Sequence, residues 1–337
     1  MTRKFALITG TAFALASLAV IANAATAQDP AQGAGQSYGA DTVSIEHFIG
    51  RVEIRTGTSS QVSVAISNTG GIADDPQLRQ TGSSLMIDGG QSIRNLSCNN
   101  RDGQIRIGRH WRARHDIADY PLLTITAPAS LALRLRDSAF QGTSGDLGSL
   151  DLEIDSCGDF QTGDIAHDVD ISINGSGDVT TGGVGGNLDL GINGSGDVIL
   201  GAIAGSVDLG INGSGDVRMT DVTGDTDIGI NGSGDVDFGR IAGLDISING
   251  SGDVSADSMN GAFNVRVGGS GDVNVRGGRA EPFDVAINGS GGVSFGGTAV
   301  NVTVRESGSG DVSIDEIEGN VDWRRNGRPV LRVGNTK

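Results

Sequence analysis

The seven residues Ile-Asn-Gly-Ser-Gly-Asp-Val begin at Ile173 and return at Ile192, Ile211, Ile230 and Ile248. A catalytic motif is needed once. A phrase repeated at nearly fixed spacing is architecture, and it restricts the chain to folds that stack copies of one short unit. Cutting before each hydrophobic-Asp-hydrophobic run places unit starts at Leu150, Val169, Leu188, Val207, Thr226, Leu244, Phe263, Phe283 and Val302. The spacings are 19, 19, 19, 19, 18, 19, 20 and 19 residues. A degenerate unit of the same length starts at Leu131, and a closing one starts at Val321 and breaks down at Arg324 to Pro329.

Each unit opens with strict alternation. In the unit at Val207, the residues Val207, Leu209 and Ile211 point one way, and Asp208, Gly210 and Asn212 the other. That period of two marks a half-buried strand. Gly-Ser-Gly-Asp then turns the chain, and a second short strand follows with Val217 inward. A third apolar column runs Ile165, Val184, Ile203, Val222, Ile241, Met259 and Ile317. Three apolar columns per 19 residues give a coil with three sides. The expected fold is all-β: a β-solenoid, read as a right-handed parallel β-helix with about 19 residues per coil and an N-terminal β-rich cap. Nine coils about 4.8 Å apart make a rod roughly 43 Å long. A β-propeller is excluded by unit length, because a blade needs about 40 residues. Stacking also places Asn174, Asn193, Asn212, Asn231, Asn249 and Asn288 above one another, as a candidate amide ladder.

The rest of the chain divides around this repeat. Residues 1–27 have a signal-peptide layout: Arg3 and Lys4, an apolar run from Phe5 to about Ile21, then small residues with Ala-x-Ala cleavage options. No Cys follows the run, so a lipid anchor is not indicated, and no later segment is long and apolar enough to span a bilayer. Residues 28–40 read as a linker, 41–130 as a β-rich lead-in, either degenerate coils or a small sheet that caps the first end of the solenoid, 131–320 as the solenoid and 321–337 as a closing coil and tail. Removing the leader deepens the net charge from -17 to -19. Such acidity excludes nucleic acid and anionic lipid as partners, since both need a basic surface. Gly is abundant, 56 of 337 residues, but it is periodic, which points to turns rather than disorder. Cys98 and Cys157 are a candidate disulfide in an oxidising compartment, and the long loop it closes would stabilise by about 4 kcal/mol in the chain-entropy model. One insert, Cys98 to Asp116, gathers Arg101, Arg106, Arg109, Arg112 and Arg114 with His110, Trp111 and His115. Arginines beside an aromatic could bind nucleic acid or an anionic glycan; the favoured reading is a solvated basic loop or an electrostatic partner for the acidic body.

Two acidic columns carry the remaining chemistry. The turn column holds Asp159, Asp178, Asp197, Asp216, Asp235, Asp253, Asp272 and Asp311, and the strand column Asp151, Asp170, Asp189, Asp208, Asp227, Asp245, Asp284 and Asp322. Stacked like charges repel by roughly 1 kcal/mol per pair even in water. Backbone N–H groups of local Asx-turns would offset that. So would Ca²⁺, which makes Asp178, Asp197, Asp216, Asp235 and Asp253 the candidate metal ligands. No other cofactor is expected. The six Asn-Gly-Ser matches to a glycosylation acceptor are by-products of the turn, because bulky glycans cannot occupy adjacent coils. Catalysis finds little footing: His47, His110, His115 and His167 form no metal-ligand spacing, and no helix is predicted to carry a nucleophile elbow.

"LDLGINGSGDV" at 188–198 and "VDLGINGSGDV" at 207–217 resemble the head GIN domain family of auto-transporter adhesins. The family takes its name from the Gly-Ile-Asn found here at Gly191-Ile192-Asn193 and Gly210-Ile211-Asn212. The resemblance covers Val43 to about Val321, including "PLLTITAPASLALRL", and implies an exported β-solenoid without catalytic residues. One departure stands out: "VDWRRNGRPVLRVGNTK" after the solenoid supplies no strands for an outer-membrane barrel.

The functional expectation is a non-enzymatic exported solenoid, periplasmic or on the cell surface, acting as a binding, adhesin-like or scaffold module. Its means would be a flat face with small outward residues at Ser172, Gly191, Gly210, Gly229 and Ser247, and its partners an envelope protein or polysaccharide. Two alternatives stand beside it: a structural periplasmic protein whose Asp ladders bind divalent cations, and a glycan-active β-helix enzyme. The oligomeric state is not specified by the sequence.

Overall fold

The computed structural model describes residues 36–94, 96–101, 104–109 and 114–330. The leader 1–27, most of the linker, and His110, Trp111 and Arg112 of the basic insert lie outside the described residues. The chain forms a β-solenoid of about ten turns with coils of about 19 residues. Among the described residues there is no α-helix, only a 3-10 turn at Ile117–Asp119, and no helix is long and apolar enough to cross a membrane.

Every coil has three faces. The first is built from strands such as Val169–Ile173, Leu188–Ile192, Val207–Ile211 and Thr226–Ile230, parallel and in register. The second stacks short strands such as Val198–Leu200 and Val217–Met219. The third is a column of single parallel bridges, Leu147 to Ile165, Val184, Ile203, Val222 and Ile241. The alternation explains the first face directly: Val207, Leu209 and Ile211 are buried while Asp208 is exposed. Their stacked equivalents make one continuous apolar core that extends through Phe263 and Phe283, whose rings stack with centroids 4.7 Å apart. From Val254 onward faces merge into long strands such as Val254–Val267.

The turns are stacked as tightly as the strands. Asn212 N–H donates to the Ile192 carbonyl at 2.8 Å, and Ser214 N–H to the Gly194 carbonyl at 2.9 Å. The first glycine of each Gly-Ser-Gly is required by this approach: a Cβ on Gly213 would collide with the Gly194 carbonyl oxygen, and the same holds for Gly232 against Gly213. The repeated phrase is therefore what allows one turn to sit directly on the last.

The start of the stack differs from a sequential reading. The coil at Leu131 lies on Thr42–Glu46 and Ile49–Gly57, which continue its first and second faces. The stack thus extends past Leu131 into the lead-in, because Val43, Ile45, Val52 and Ile54 continue the inward columns. The intervening chain folds over the open end: Ser84–Asp88 pairs parallel to Thr42–Glu46, Gln77–Thr81 runs antiparallel to it, and Leu122–Pro128 joins the second face. The expected linker 28–40 is shorter at its far end, since Gln36–Tyr38 pairs antiparallel with Val62–Ser67 and Ala40 is buried. At the other end Val312–Arg325 is the last full coil, closed by a hairpin to Arg328–Pro329. There the isoleucine column stops at Glu306, which is buried and accepts from Trp323 Nε1 at 3.2 Å and from Arg325.

A separate antiparallel sheet, Leu96–Arg101, Gln104–Arg109 and His115–Asp116, covers one corner of the first coils. Ile105, Ile107 and Ile117 pack with Ile49, Ala139 and Cys157. Cys98 and Cys157 are joined as a disulfide, with Cα atoms 6.1 Å apart. Cys157 replaces the turn serine of later coils, so the bridge ties the sheet to the first turn of the repeat.

Two glycine substitutions test the stacking. Gly213→Ala should destabilise the protein by several kcal/mol, on the order of the larger single-site effects known. Gly210→Ala meets open space and should be neutral or stabilising by about 0.4–1 kcal/mol. Denaturant melts of the two variants distinguish them, and equal stabilities would contradict the packing described.

Candidate functional site

Coil-to-coil stacking turns each outward residue into a column, and two columns edge the turn. In the first, each amide donates to the one before: Asn193 Nδ2 to Asn174 Oδ1 at 2.9 Å, Asn212 to Asn193 at 3.0 Å, Asn231 to Asn212 at 2.9 Å and Asn249 to Asn231 at 3.1 Å. The ladder starts on Asp155, which accepts from Asn174 at 2.9 Å. Asn288 does not join it. Gly268 occupies the intervening coil and has no amide to pass on the bond.

The candidate metal ligands form the second column, and their carboxylates are engaged in the stack. Asp178 Oδ1 accepts from Asp197 N–H at 3.0 Å, Asp197 from Asp216 at 2.9 Å, Asp216 from Asp235 at 3.0 Å, Asp235 from Asp253 at 2.8 Å and Asp253 from Asp272 at 2.7 Å. The donors are not those of a local Asx-turn but of the next coil. A backbone partial positive charge therefore sits between successive carboxylates, which offsets the repulsion that the sequence left open to either turns or cations. Among the described residues no group of three or more His, Cys, Asp or Glu is placed to hold a metal ion.

The strand column on the first face is compensated differently. At one end Arg136 grips Asp151, with Nη2 at 2.6 Å from Oδ2 and Nε at 3.1 Å from Oδ1. Further along the column Arg266 reaches Asp245 at 3.3 Å. Between them Asp170, Asp189, Asp208 and Asp227 have no arginine within ion-pair distance among the described residues. Beside them runs a stripe in which Gly191, Gly210 and Gly229 would each place a Cβ in open space. The face there is bare strand backbone edged by carboxylates. A shallow groove of about 450 Å³ runs along its margin, floored by Leu150, Val169, Leu188 and Val207. Further along, the stripe changes character to Arg266, Ala286, Arg305 and Arg324. Arg266 and Arg305 lie two coils apart with Ala286 between them, and Arg324 follows Arg305 on the next coil; the period of about 19 residues was the signal available for this column.

A family model described as "Putative auto-transporter adhesin, head GIN domain" matches residues 79–239 and 243–327. No curated protein matches the chain. Among solved structures, a crystal structure described as that of a "putative cell adhesion protein" from Clostridium sporogenes has 10% sequence identity, covers 85% of this chain and 100% of its own, and superposes with a TM-score of 0.19. A score that low does not establish a common fold.

The unpaired carboxylates carry an electrostatic cost that pH can reveal. Partial burial, then the neighbouring Asp151 and Asp189, push the Asp170 carboxyl up from its ordinary value. Asp227 is raised by partial burial and by Asp245 and Asp208. Both groups hold a proton more tightly folded than unfolded. Their contribution therefore favours the native state below the ordinary aspartate range and is lost as pH rises through the raised folded value. Asp227→Asn should raise the melting temperature at neutral pH, by no more than roughly 1 kcal/mol per relieved neighbour before salt screening. That gain should shrink to nothing in acid. A loss of stability at neutral pH would show that Asp227 makes a favourable contact instead.

Proposed function

The chain belongs to the head GIN domain family, and from that premise we propose that it is an exported, non-enzymatic β-solenoid acting as an adhesin-like binding module of the bacterial cell envelope. The observation that carries this reading is the first face, where Gly191, Gly210 and Gly229 leave strand backbone approachable over three successive coils. Such a surface suits an extended partner lying along the stack. Parallel ladders fix the backbone beneath it, so little ordering remains to be done on binding. The partner class is an envelope protein or a polysaccharide. Export rests on the basic-apolar-small layout of residues 1–27, and surface placement on the family description.

The reading also accounts for the acidity of the chain. A strongly negative surface keeps a long repetitive β-protein soluble and discourages lateral self-association.

Display can be tested on producing cells. Antibodies raised against the purified solenoid should label intact cells, under conditions where a periplasmic control stays unlabelled. Labelling that appears only after the outer membrane is permeabilised would contradict surface display and place the module inside the envelope.

A further inference from the structure

In the coils from Leu131 to Arg325, arginines are held by carboxylates with one exception. Arg134, Arg136, Arg218, Arg240, Arg266, Arg276, Arg279, Arg324 and Arg325 each lie within 4.0 Å of an Asp or Glu oxygen. Arg305 has no such partner among the described residues. In a chain with a net charge of -17 an arginine without a carboxylate partner is unexpected.

Arg305 lines a groove on the first face, with a volume of about 330 Å³. The register fixes its neighbours. Ala286 lies one coil before Arg305 and Arg266 two coils before, so the two guanidinium groups flank a small residue across about 10 Å. The adjacent column places Asn264, Asp284 and Thr303 on the same three coils. Asp284 also lacks an ion-pair partner among the described residues. The groove thus contains an unpaired cation and an unpaired anion that do not neutralise each other.

We propose that this groove is a binding subsite for an acidic sugar unit of a polysaccharide. The geometry divides the work. The fork of Arg305 suits a carboxylate or sulfate, which it can hold by two parallel N–H bonds. Asp284 accepts hydrogen bonds from sugar hydroxyls, and the Asn264 amide and Thr303 hydroxyl can both donate and accept. Ala286 keeps the floor low enough for a ring to lie between the arginines. The first face continues past the groove in both directions, so a chain can run along the stack. The acidity of the rest of the protein does not forbid this. At physiological salt the field of distant carboxylates is screened beyond about 8 Å, whereas a group seated on Arg305 is not. The inference rests on the adhesin-like reading for its biological setting, but not for its chemistry.

The test is isothermal titration of the full mature protein with oligogalacturonate, with dextran sulfate and with neutral dextran. Either anionic probe should bind, and the stronger one identifies carboxylate or sulfate as the recognised group. Neutral dextran should not bind. Arg305→Gln should weaken binding by about tenfold or more. Arg305→Lys, which keeps charge but loses the fork, should fall between. Ala286→Glu should abolish binding by filling the groove with a repelling group. Both positions face outward, so unchanged melting temperatures of the three variants would show intact folding. Equal binding of neutral dextran, or binding unaffected by Arg305→Gln and Ala286→Glu, would overturn the proposal. If wild type and Arg305→Gln adhere equally to cell surfaces, the adhesin-like reading stands and the acidic-sugar site falls. If the protein adheres to no surface yet binds oligogalacturonate through Arg305, the site stands without that reading.

Discussion

A backbone N–H of one coil donating to the aspartate of the coil before it is the contact on which the stack depends. Repetition brings identical side chains within about 4.8 Å of one another, and for carboxylates that is repulsive. The chain meets the problem with three local arrangements. In the turn, amides from the next coil lie between successive carboxylates, as from Asp197 to Asp178 and from Asp216 to Asp197. At the corners, Asp221 receives both the backbone N–H and the guanidinium of Arg240, which holds its carboxyl below the ordinary range. On the first face, arginines hold Asp151, Asp245 and Asp322, while Asp170, Asp189, Asp208, Asp227 and Asp284 go without among the described residues. The asparagine ladder beside them adds donors and acceptors in one direction and carries no charge at all.

From this arrangement the functional surface follows. Because turns and core positions are committed to stacking, variation is confined to outward positions, and the second outward column of the first face varies most usefully. It runs from glutamate through serine and glycine to arginine between Glu153 and Arg324. A repeat that is uniform inside can therefore present a graded surface outside. The bare glycine stretch and the arginine-flanked groove are neighbouring parts of one strip, and a single extended partner can contact both.

Much of this was legible in the sequence because period two and period 19 are independent signals. The first assigns inward and outward residues within a strand, and the second assigns neighbours between coils. Together they located the three apolar columns and both aspartate columns. Three features escaped for physical reasons. The direction of the turn bonds depends on whether the nearest N–H belongs to the same coil or the next, which composition cannot show. Degenerate coils in the lead-in were one of two expectations, but which segment lies under Leu131 was not legible, because Thr42–Glu46 and Ile49–Gly57 are separated from the coil they support by more than seventy residues. The groove at Ala286 depends on which arginines find carboxylates: Arg266 turns back to Asp245, while Arg305 does not reach Asp284. That distinction is one of side-chain reach and appears only once the coils are stacked.

The central claim is that the flat outward strip of the first face is the binding surface. It is tested most directly by measuring adherence of the purified mature protein to whole cells, beside a variant carrying Gly191→Gln, Gly210→Gln and Gly229→Gln. Each of these glycines faces open space, so the variant should melt as the wild type does. The account predicts that wild type adheres and that the variant, with its bare backbone covered, does not. Adherence of a folded variant equal to that of wild type would contradict it.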